Sequence, residues 1–220
     1  MLRRRLLLTL LLAALPVFAT AQTRPPADAL VRSLQQRYQG IRDFSARFVH
    51  TYRGGALRTQ SREQGTLRVK KPGMMRFVYT APEKKEFVSD GRRVYSYIPE
   101  DRQVIVAAVP AANQATTPAL FLAGKGDMAR DFTASYVESP VAGTVGLKLV
   151  PKREEPEYEF FVMAVDPATL QWRALMTHDR QGGESTLVFS DLKENQGLAD
   201  KEFTFRIPRG VDVITDGAAN

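Results

Sequence analysis

The strongest constraint on the fold is an alternation of apolar and polar residues with a period of two. Phe44, Ala46, Phe48 and His50 are each separated by a single residue, and the run closes at the turn Gly54-Gly55. Side chains two residues apart lie on the same face of an extended strand, so this pattern predicts a β-strand. Similar short segments fill most of the remaining chain. The further predicted strands are 57–70, 74–80, 85–89, 93–98, 103–109, 131–137, 144–150, 157–165, 170–178, 184–191 and 203–207.

Short turns separate these segments, among them Pro72-Gly73, Asp90-Gly91 and Gly182-Gly183. Strands joined by such short links pair antiparallel. The sequence therefore predicts a mainly β protein with about ten or eleven antiparallel strands.

Helices are scarce by comparison. Leu30, Leu34 and Tyr38 recur every four residues and predict an amphipathic helix that ends at Gly40. A second short helix is predicted from Thr117 to Gly124. Two short helices cannot cover the apolar face of so large a sheet. The pattern leaves two architectures open: a sandwich of two sheets, which it favours, or one sheet curled around a space that something else fills.

The N-terminal residues have the composition of a secretory signal peptide. Arg3, Arg4 and Arg5 precede an apolar run of 13 residues, Leu6 to Phe18, and the small-residue site Ala19-Thr20-Ala21 follows. A membrane span needs about 20 apolar residues. We expect cleavage after Ala21, with 22–220 as a single exported domain. Since the chain contains no cysteine, disulfides and cysteine-linked lipids are excluded.

The charge distribution argues against nucleic acid. The formal net charge of +7 falls to +4 when the three arginines of the signal peptide are removed. The remaining basic residues are mixed with acidic ones, whereas nucleic-acid-binding proteins present a clustered basic face. We therefore expect no nucleic-acid partner.

The residues of common active sites are also missing. His50 and His178 are the only histidines, and no H-E-x-x-H or G-x-S-x-G motif occurs. Gly124–Asp127 lacks the length and the hydroxyl residue of a phosphate-binding loop. The sequence predicts no enzyme, no metal and no cofactor. We interpret His50 as a hydrogen-bonded histidine of the core or rim.

One strand face stands out by the size of its apolar side chains. Met75, Phe77 and Tyr79 alternate with smaller or polar residues directly after the Pro72-Gly73 turn. Methionine adapts to irregular apolar surfaces, which suits a variable ligand. Ordinary core packing explains the same residues, and composition alone favours that reading.

Several motifs, taken in order, resemble the LolA family of periplasmic lipoprotein carriers. The resemblance extends from about Leu30 to Val213. Its motifs are Phe44–Phe48, Gly65–Gly73, Arg76–Tyr79 followed by Pro82, Val88–Gly91 leading into Tyr95–Tyr97, and Phe203–Val213.

The resemblance implies a fold and a function. The fold would be a strongly curved antiparallel sheet, an incomplete, half-open barrel whose apolar concave face is capped by short helices acting as a lid. The protein would be a monomer of the periplasm without a cofactor. It would take acylated lipoproteins released by an inner-membrane ABC transporter and pass them to an outer-membrane acceptor lipoprotein.

The resemblance also implies the site. A basic residue, usually arginine, precedes the proline of the β-turn in this family and bonds backbone groups of the lid; Lys71 occupies that position. We expect Lys71 to act as a latch on the carbonyl groups of Leu122 and Ala123. The residues expected to line the acyl-chain cavity are Leu34, Tyr38, Phe48, Leu67, Val69, Met75, Phe77, Tyr79, Phe87, Tyr95, Tyr97, Leu120 and Phe121.

Three alternatives remain open at the level of sequence. The same fold could bind another lipid or a glycolipid, or sense envelope stress. An enzyme could use the curved sheet as a substrate pocket, although only two isolated histidines are available. A structural sandwich module would have a filled core and no pocket.

Overall fold

The structure is a computed structural model that describes residues 24–54, 59–109, 121–124 and 126–215. The predicted signal peptide, Leu120 and the first part of the predicted lid lie outside the described residues. Helix α1 spans Ala27–Gln39, helix α2 spans Met128–Asp131, and a 3-10 helix spans Asp200–Phe203. Phe121 and Leu122 are also helical. No helix in these ranges is long and apolar enough to cross a membrane.

The strands follow the predicted segments closely. They are β1 Asp43–Arg53, β2 Gln60–Lys70, β3 Met74–Ala81, β4 Lys85–Asp90, β5 Arg93–Ile98, β6 Gln103–Ala108, β7 Phe132–Val137, β8 Val145–Pro151, β9 Phe160–Val165, β10 Trp172–His178, β11 Glu184–Glu194 and β12 Asp212–Thr215. The alternation of apolar and polar residues thus correctly located most strands.

The twelve strands of the described residues form one open sheet, in the order β12-β6-β5-β4-β3-β2-β1-β11-β10-β9-β8-β7. Every pairing is antiparallel except that of β12 with β6, which is parallel. The prediction of a mainly β, curved antiparallel sheet with short helices is confirmed. The sandwich that the pattern alone favoured is wrong, because all the described strands belong to a single sheet.

The predicted strand 203–207 is also wrong. Phe203 ends the 3-10 helix, and 204–208 has no regular structure. Phe203 is buried and the Phe205 ring packs on Tyr95 and Tyr97, with ring centroids 5.4 and 5.8 Å away. The alternation of the two phenylalanines therefore reflects packing onto the sheet and not pairing within it. The last strand is β12, which we did not predict.

The sheet curves around one apolar cluster on its concave face. Leu67 on β2 and Leu147 on β8 are both fully buried in this cluster, although four strands lie between β2 and β8. Helix α1 lies on the same face, and the Tyr38 ring stacks on Trp172 of β10 with a centroid distance of 4.3 Å. The amphipathic pattern of α1 therefore buries its apolar side in the curve of the sheet.

Residues 195–207 cross the opposite, convex face, and we call them the convex strap. The buried carboxylate of Asp43 accepts hydrogen bonds from the backbone N–H groups of Gln196 and Gly197 at 2.7 and 3.1 Å. Lys70 Nζ donates to the carbonyl of Leu198 at 2.7 Å, and Arg76 donates to the carbonyl of Glu202 at 2.9 Å. The strap leads from β11 to the region of β12 at the far edge of the sheet.

Candidate functional site

Large aromatic side chains line the concave face on strands β1, β3 and β4. Phe77 is paired with Phe87, and the Phe48 ring lies 5.5 Å from that of Phe77 and 4.9 Å from that of Tyr79. Tyr79 and Phe87 are in edge contact at 5.8 Å. The structure thus brings together four of the residues that we expected to line a cavity. Aromatic packing at these distances stabilises the wall beyond its burial alone.

Most of the other expected lining residues lie in the same apolar cluster. These are Leu34, Tyr38, Leu67, Val69 and Phe121, all buried, together with Met75, which is partly exposed. Phe121 packs edge-on against Phe132 of β7 at 5.0 Å. Residues from α1, the lid and both halves of the sheet therefore meet on the concave face.

Tyr95 and Tyr97 lie on the other face. Tyr95 is paired with Val88, whereas Phe87 is paired with Ser96. Paired residues share a face and neighbours along a strand alternate, so the two tyrosines are on the convex side, against Phe205. Our assignment of these two residues to the cavity wall is therefore corrected. The family motif correctly predicted strand β5, but it did not specify the register of β5 with β4, which determines the face of each residue.

Three apolar residues that we did not predict occupy the concave positions at this end of the sheet. Val94 is paired with Ser89, Ile105 with Ser96, and Ile214 with Ile105, which places all three on the face of Phe87. Ile105 is 41% exposed and Ile214 is 47% exposed. This strip is the least covered apolar part of the concave face that we identify in the described residues. The signal available in the sequence was that Val94 and Ser96 alternate with Tyr95 and Tyr97, so the two pairs lie on opposite faces of the strand.

The turn that carries Lys71 is held firmly in place. Its backbone N–H donates to the carbonyl of Arg42 at 2.8 Å, and the hydroxyl of the buried Ser89 donates to the carbonyl of Gly73 at 2.7 Å. The Gly73 N–H donates to the carbonyl of Ala123 at 2.9 Å. The turn is therefore bonded directly to the lid segment 121–124.

The ammonium group of Lys71 contacts α1 and not the lid carbonyls. It donates to the carbonyl of Tyr38 and lies 4.0 Å from the centroid of the Tyr38 ring. The Tyr38 hydroxyl donates to the carbonyl of Leu122. The partners that we expected for Lys71 therefore bond to Tyr38 and Gly73 instead. Carbonyl groups in the last turn of a helix are electronegative and short of partners, which explains why α1 attracts the cation.

A glycine lets the lid approach Lys71 closely. Gly124 has a φ of +76°, and a Cβ atom built on it would lie 2.6 Å from Lys71 Cγ. A side chain there would be strained by the backbone conformation and would collide with the lysine. Gly124 thus serves both the turn after Leu122 and the contact with Lys71.

Burial changes the acidity of both Lys71 and Tyr38. Loss of hydration lowers the pKa of Lys71 and raises the pKa of the Tyr38 hydroxyl well above its usual range. The hydroxyl therefore remains a hydrogen-bond donor at any physiological pH. A cavity of about 50 Å³ lies between Lys71, Tyr38, Gly124 and Trp172. It has room for water but not for an acyl chain, so this end of the concave face is closed.

The other end of the concave face is polar. One residue from each of five adjacent strands forms what we call the polar row: Ser185, His50, Glu63, Tyr79 and Lys85. Lys85 Nζ lies 2.5 Å from Glu63 Oε1, and His50 Nδ1 lies 3.2 Å from Glu63 Oε2. His50 Nε2 lies 2.8 Å from the Ser185 hydroxyl. Burial lowers the pKa of His50, although Glu63 opposes the shift.

The two histidines do not lie together in the structure. His178 stacks on Phe160, with a centroid distance of 4.8 Å, on the opposite face of the sheet from His50. No group of three or more His, Cys, Asp or Glu side chains that could hold a metal occurs within the described ranges. The arrangement is suited to binding apolar groups.

Comparisons with known proteins give a consistent result. The family model described as outer membrane lipoprotein carrier protein LolA matches residues 39–206. An outer-membrane lipoprotein carrier protein of Pseudomonas paraeruginosa is 31% identical over 96% of this chain and 100% of its own length. One of Chromohalobacter salexigens is 32% identical over 93% of each chain. An uncharacterized conserved protein of Thermus thermophilus has a similar fold, with a TM-score of 0.51 and 10% identity over 84% of this chain and 97% of its own.

Proposed function

We propose that this chain, which belongs to the LolA family, is a periplasmic carrier that binds the acyl chains of lipoproteins on its concave face and delivers them to the outer membrane. The observation that carries the proposal is the closure of a large apolar face by a few polar bonds. Gly73 and Tyr38 bond to the lid segment, and Lys71 bonds to Tyr38. Such a closure can open without disrupting the sheet.

Binding strength explains why a lid is useful. Burial of one methylene contributes about 0.8 kcal/mol, so a chain of about 14 methylenes contributes about 11 kcal/mol. A carrier that bound several chains with this strength would not release them. If the latch stabilises the closed, empty form, it must be broken before cargo can bind. The net free energy of binding is then weakened by the free energy that the latch contributes. Lys71 would in this way set the affinity at a level that permits transfer.

Cargo would enter at the partly exposed strip of Val94, Ile105 and Ile214, next to the aromatic wall of Phe77 and Phe87. The strip extends the apolar surface to the open edge of the sheet, where no helix among the described residues covers it. Movement of the lid segment away from Tyr38 would connect this strip with the buried cluster. Acyl chains would then replace lid contacts without any covalent chemistry or cofactor.

The proposed partners are those that the resemblance to the LolA family implies. An inner-membrane ABC transporter would supply the lipoprotein, and an acceptor lipoprotein in the outer membrane would receive it. The carrier would act as a monomer after removal of residues 1–21.

A release assay tests the proposal. The protein, purified from the periplasm after expression of the full chain, is added to inner-membrane vesicles that hold a triacylated lipoprotein, the transporter and ATP. We expect a soluble one-to-one complex that forms only when transporter and ATP are both present. A folded protein that leaves the lipoprotein in the vesicles, while an authentic carrier releases it, contradicts the proposal; mass spectrometry of lipids that copurify with the protein would then identify another ligand.

A further inference from the structure

The concave face changes from apolar to polar along its strands. On β1 the buried Phe44 and Phe48 are followed by His50 at the next concave position, and on β2 the fully buried Leu67 and Val69 lie on the same face as Glu63. His50 and Glu63 are paired across the two strands. The apolar wall and the polar row are therefore parts of one continuous surface.

The polar row is only slightly accessible to water. The side chains of Glu63, His50 and Lys85 are 11%, 20% and 22% exposed. Burying charged groups is unfavourable unless they are paired, and a rim needed only for solubility would leave them in water. Glu63 contacts both neighbours: its Oε1 faces the Lys85 ammonium group, whose charge it balances, and its Oε2 faces His50. The row thus keeps hydrogen-bonding groups in place beside an apolar wall.

The groups that remain available are mainly donors. An ammonium group has three N–H groups, and Glu63 takes one of those of Lys85. The Tyr79 hydroxyl lies 3.3 Å from His50 Nδ1. Burial raises the pKa of the Tyr79 hydroxyl, so this hydroxyl stays protonated. Lys85 Nζ lies 4.5 Å from the Tyr79 ring centroid, so these donors are adjacent. A ligand for this row should offer uncharged acceptor atoms, because Glu63 already neutralises the lysine.

We propose that the polar row binds the ester and amide carbonyl groups that join acyl chains to the polar part of the cargo. The chains would extend from the row along β1, β2 and β3 towards Lys71. Glu63 and Val69 are six residues apart on β2, which corresponds to about 20 Å along the strand. A long acyl chain can lie along this distance. The proposal rests on the proposed function, since it assigns an orientation to the same cargo.

The test compares two fluorescent lipopeptides. One carries a diacylglyceryl cysteine with two ester-linked palmitoyl chains, and the other carries the same chains in ether linkage, without the carbonyl oxygens. Affinities are measured by fluorescence with the protein purified from the periplasm after expression of the full chain. We expect the ester form to bind about tenfold more tightly, as the loss of one or two hydrogen bonds would give. Equal affinities for the two forms overturn the proposal.

Two matched double variants test whether the polar row causes the preference for the ester-linked lipopeptide. Glu63→Gln/Lys85→Met removes both charges of the row together, so no unpaired charge is left. Arg76→Met/Glu86→Gln removes an ion pair of the same length, 2.5 Å, on the convex face of β3 and β4, with similar exposures of 25% and 20%. We expect the first variant to bind ester and ether forms equally and the second to keep the tenfold preference. A row variant that keeps the preference overturns the proposal.

The outcomes separate this inference from the proposed function. If the wild-type protein binds neither lipopeptide, the proposed function fails and the orientation fails with it. If it binds both equally, the carrier function stands and the role of the row is rejected. The comparison of ester with ether in the wild-type protein needs no variant, so it holds even if a row variant does not fold. Competition by phosphatidylethanolamine with the same ester-linked chains shows whether a membrane phospholipid or the lipopeptide is the preferred source of the carbonyl groups.

Discussion

Lys71 and Tyr38 contact each other at two points. The lysine ammonium donates to the Tyr38 carbonyl, and it lies 4.0 Å from the centroid of the Tyr38 ring. The hydroxyl of the same tyrosine donates to the carbonyl of Leu122. Tyr38 thus connects the lysine at the β2–β3 turn with the lid segment 121–124, and in the proposed function the stability of the closed form depends on Lys71, Tyr38 and Leu122.

The variant Lys71→Leu should bind acyl chains more tightly and release them more slowly. Loss of the hydrogen bond and of the cation–π contact destabilises the closed form by about 1 kcal/mol, which raises the affinity for a fluorescent lipopeptide about fivefold. Hydrogen exchange at the Gly73 and Gly124 amides should become faster in the empty protein. Lys84→Leu, in an exposed turn, is the control. Unchanged exchange and unchanged affinity in Lys71→Leu would show that the lysine is not a latch.

Gly124→Ala should loosen the lid more than Gly143→Ala does. Both glycines have nearly the same positive φ, +76° and +75°, so both variants carry the same backbone strain of about 1 kcal/mol. A Cβ at Gly143 meets no atom within 4 Å, whereas a Cβ at Gly124 meets the Lys71 side chain. The difference between the two variants in free energy of unfolding, measured in urea, therefore reports the contact with Lys71. We expect about 1 kcal/mol; equal values would show that the lysine stem moves aside freely.

His50 should make the protein less stable in mild acid. Burial lowers its pKa in the folded protein, while the unfolded chain has the ordinary value of about 6.5. As the pH falls below 6.5 the unfolded chain binds the proton first, so the contribution of His50 is present at pH 7 and lost below pH 6.5. We expect His50→Gln to lose less stability between pH 7 and 5 than the wild-type protein in urea unfolding. Glu63 and Lys85 are common to both proteins, and identical slopes would contradict the prediction.

Truncation of Phe87 should affect binding, and truncation of Tyr95 should not. The two residues lie on adjacent strands but on opposite faces of the sheet. Phe87→Ala removes part of the concave wall and should weaken lipopeptide binding about tenfold, in line with the loss of a partly buried aromatic side chain. Tyr95→Ala removes a ring that packs on Phe205 and should change stability alone. If Tyr95→Ala weakens binding as much as Phe87→Ala, the ligand does not lie on the concave face.

Local patterns were sufficient to predict β1 to β11 and the mainly β class, but not the single curved sheet. Alternation with a period of two located β1 to β11 because most of these strands bury one face more than the other, although β9 is buried on both faces. The number of sheets depends on curvature, which arises from contacts between distant strands such as those that bury Leu67 and Leu147. Periodicity does not contain this information, and the family resemblance supplied it.

Individual site residues were harder to predict for the same reason. The resemblance placed Tyr95 and Tyr97 in a strand, but their face depends on the register between β4 and β5. The partner of Lys71 depends on where α1 ends relative to the turn, which no local pattern specifies. The polar row unites residues from five strands and has no motif in the linear sequence.

A reversible lock on the lid shows whether cargo enters beneath it. A Cβ on Gly124 would lie 3.2 Å from Lys71 Cβ, close to the 3.5–4.5 Å separation of a disulfide, and the chain has no other cysteine. Lys71→Cys/Gly124→Cys can therefore be closed by oxidation and opened by a reductant. We predict that the oxidised protein takes up no lipopeptide and that reduction restores uptake. Equal uptake by the oxidised and reduced proteins would show that cargo does not enter beneath the lid.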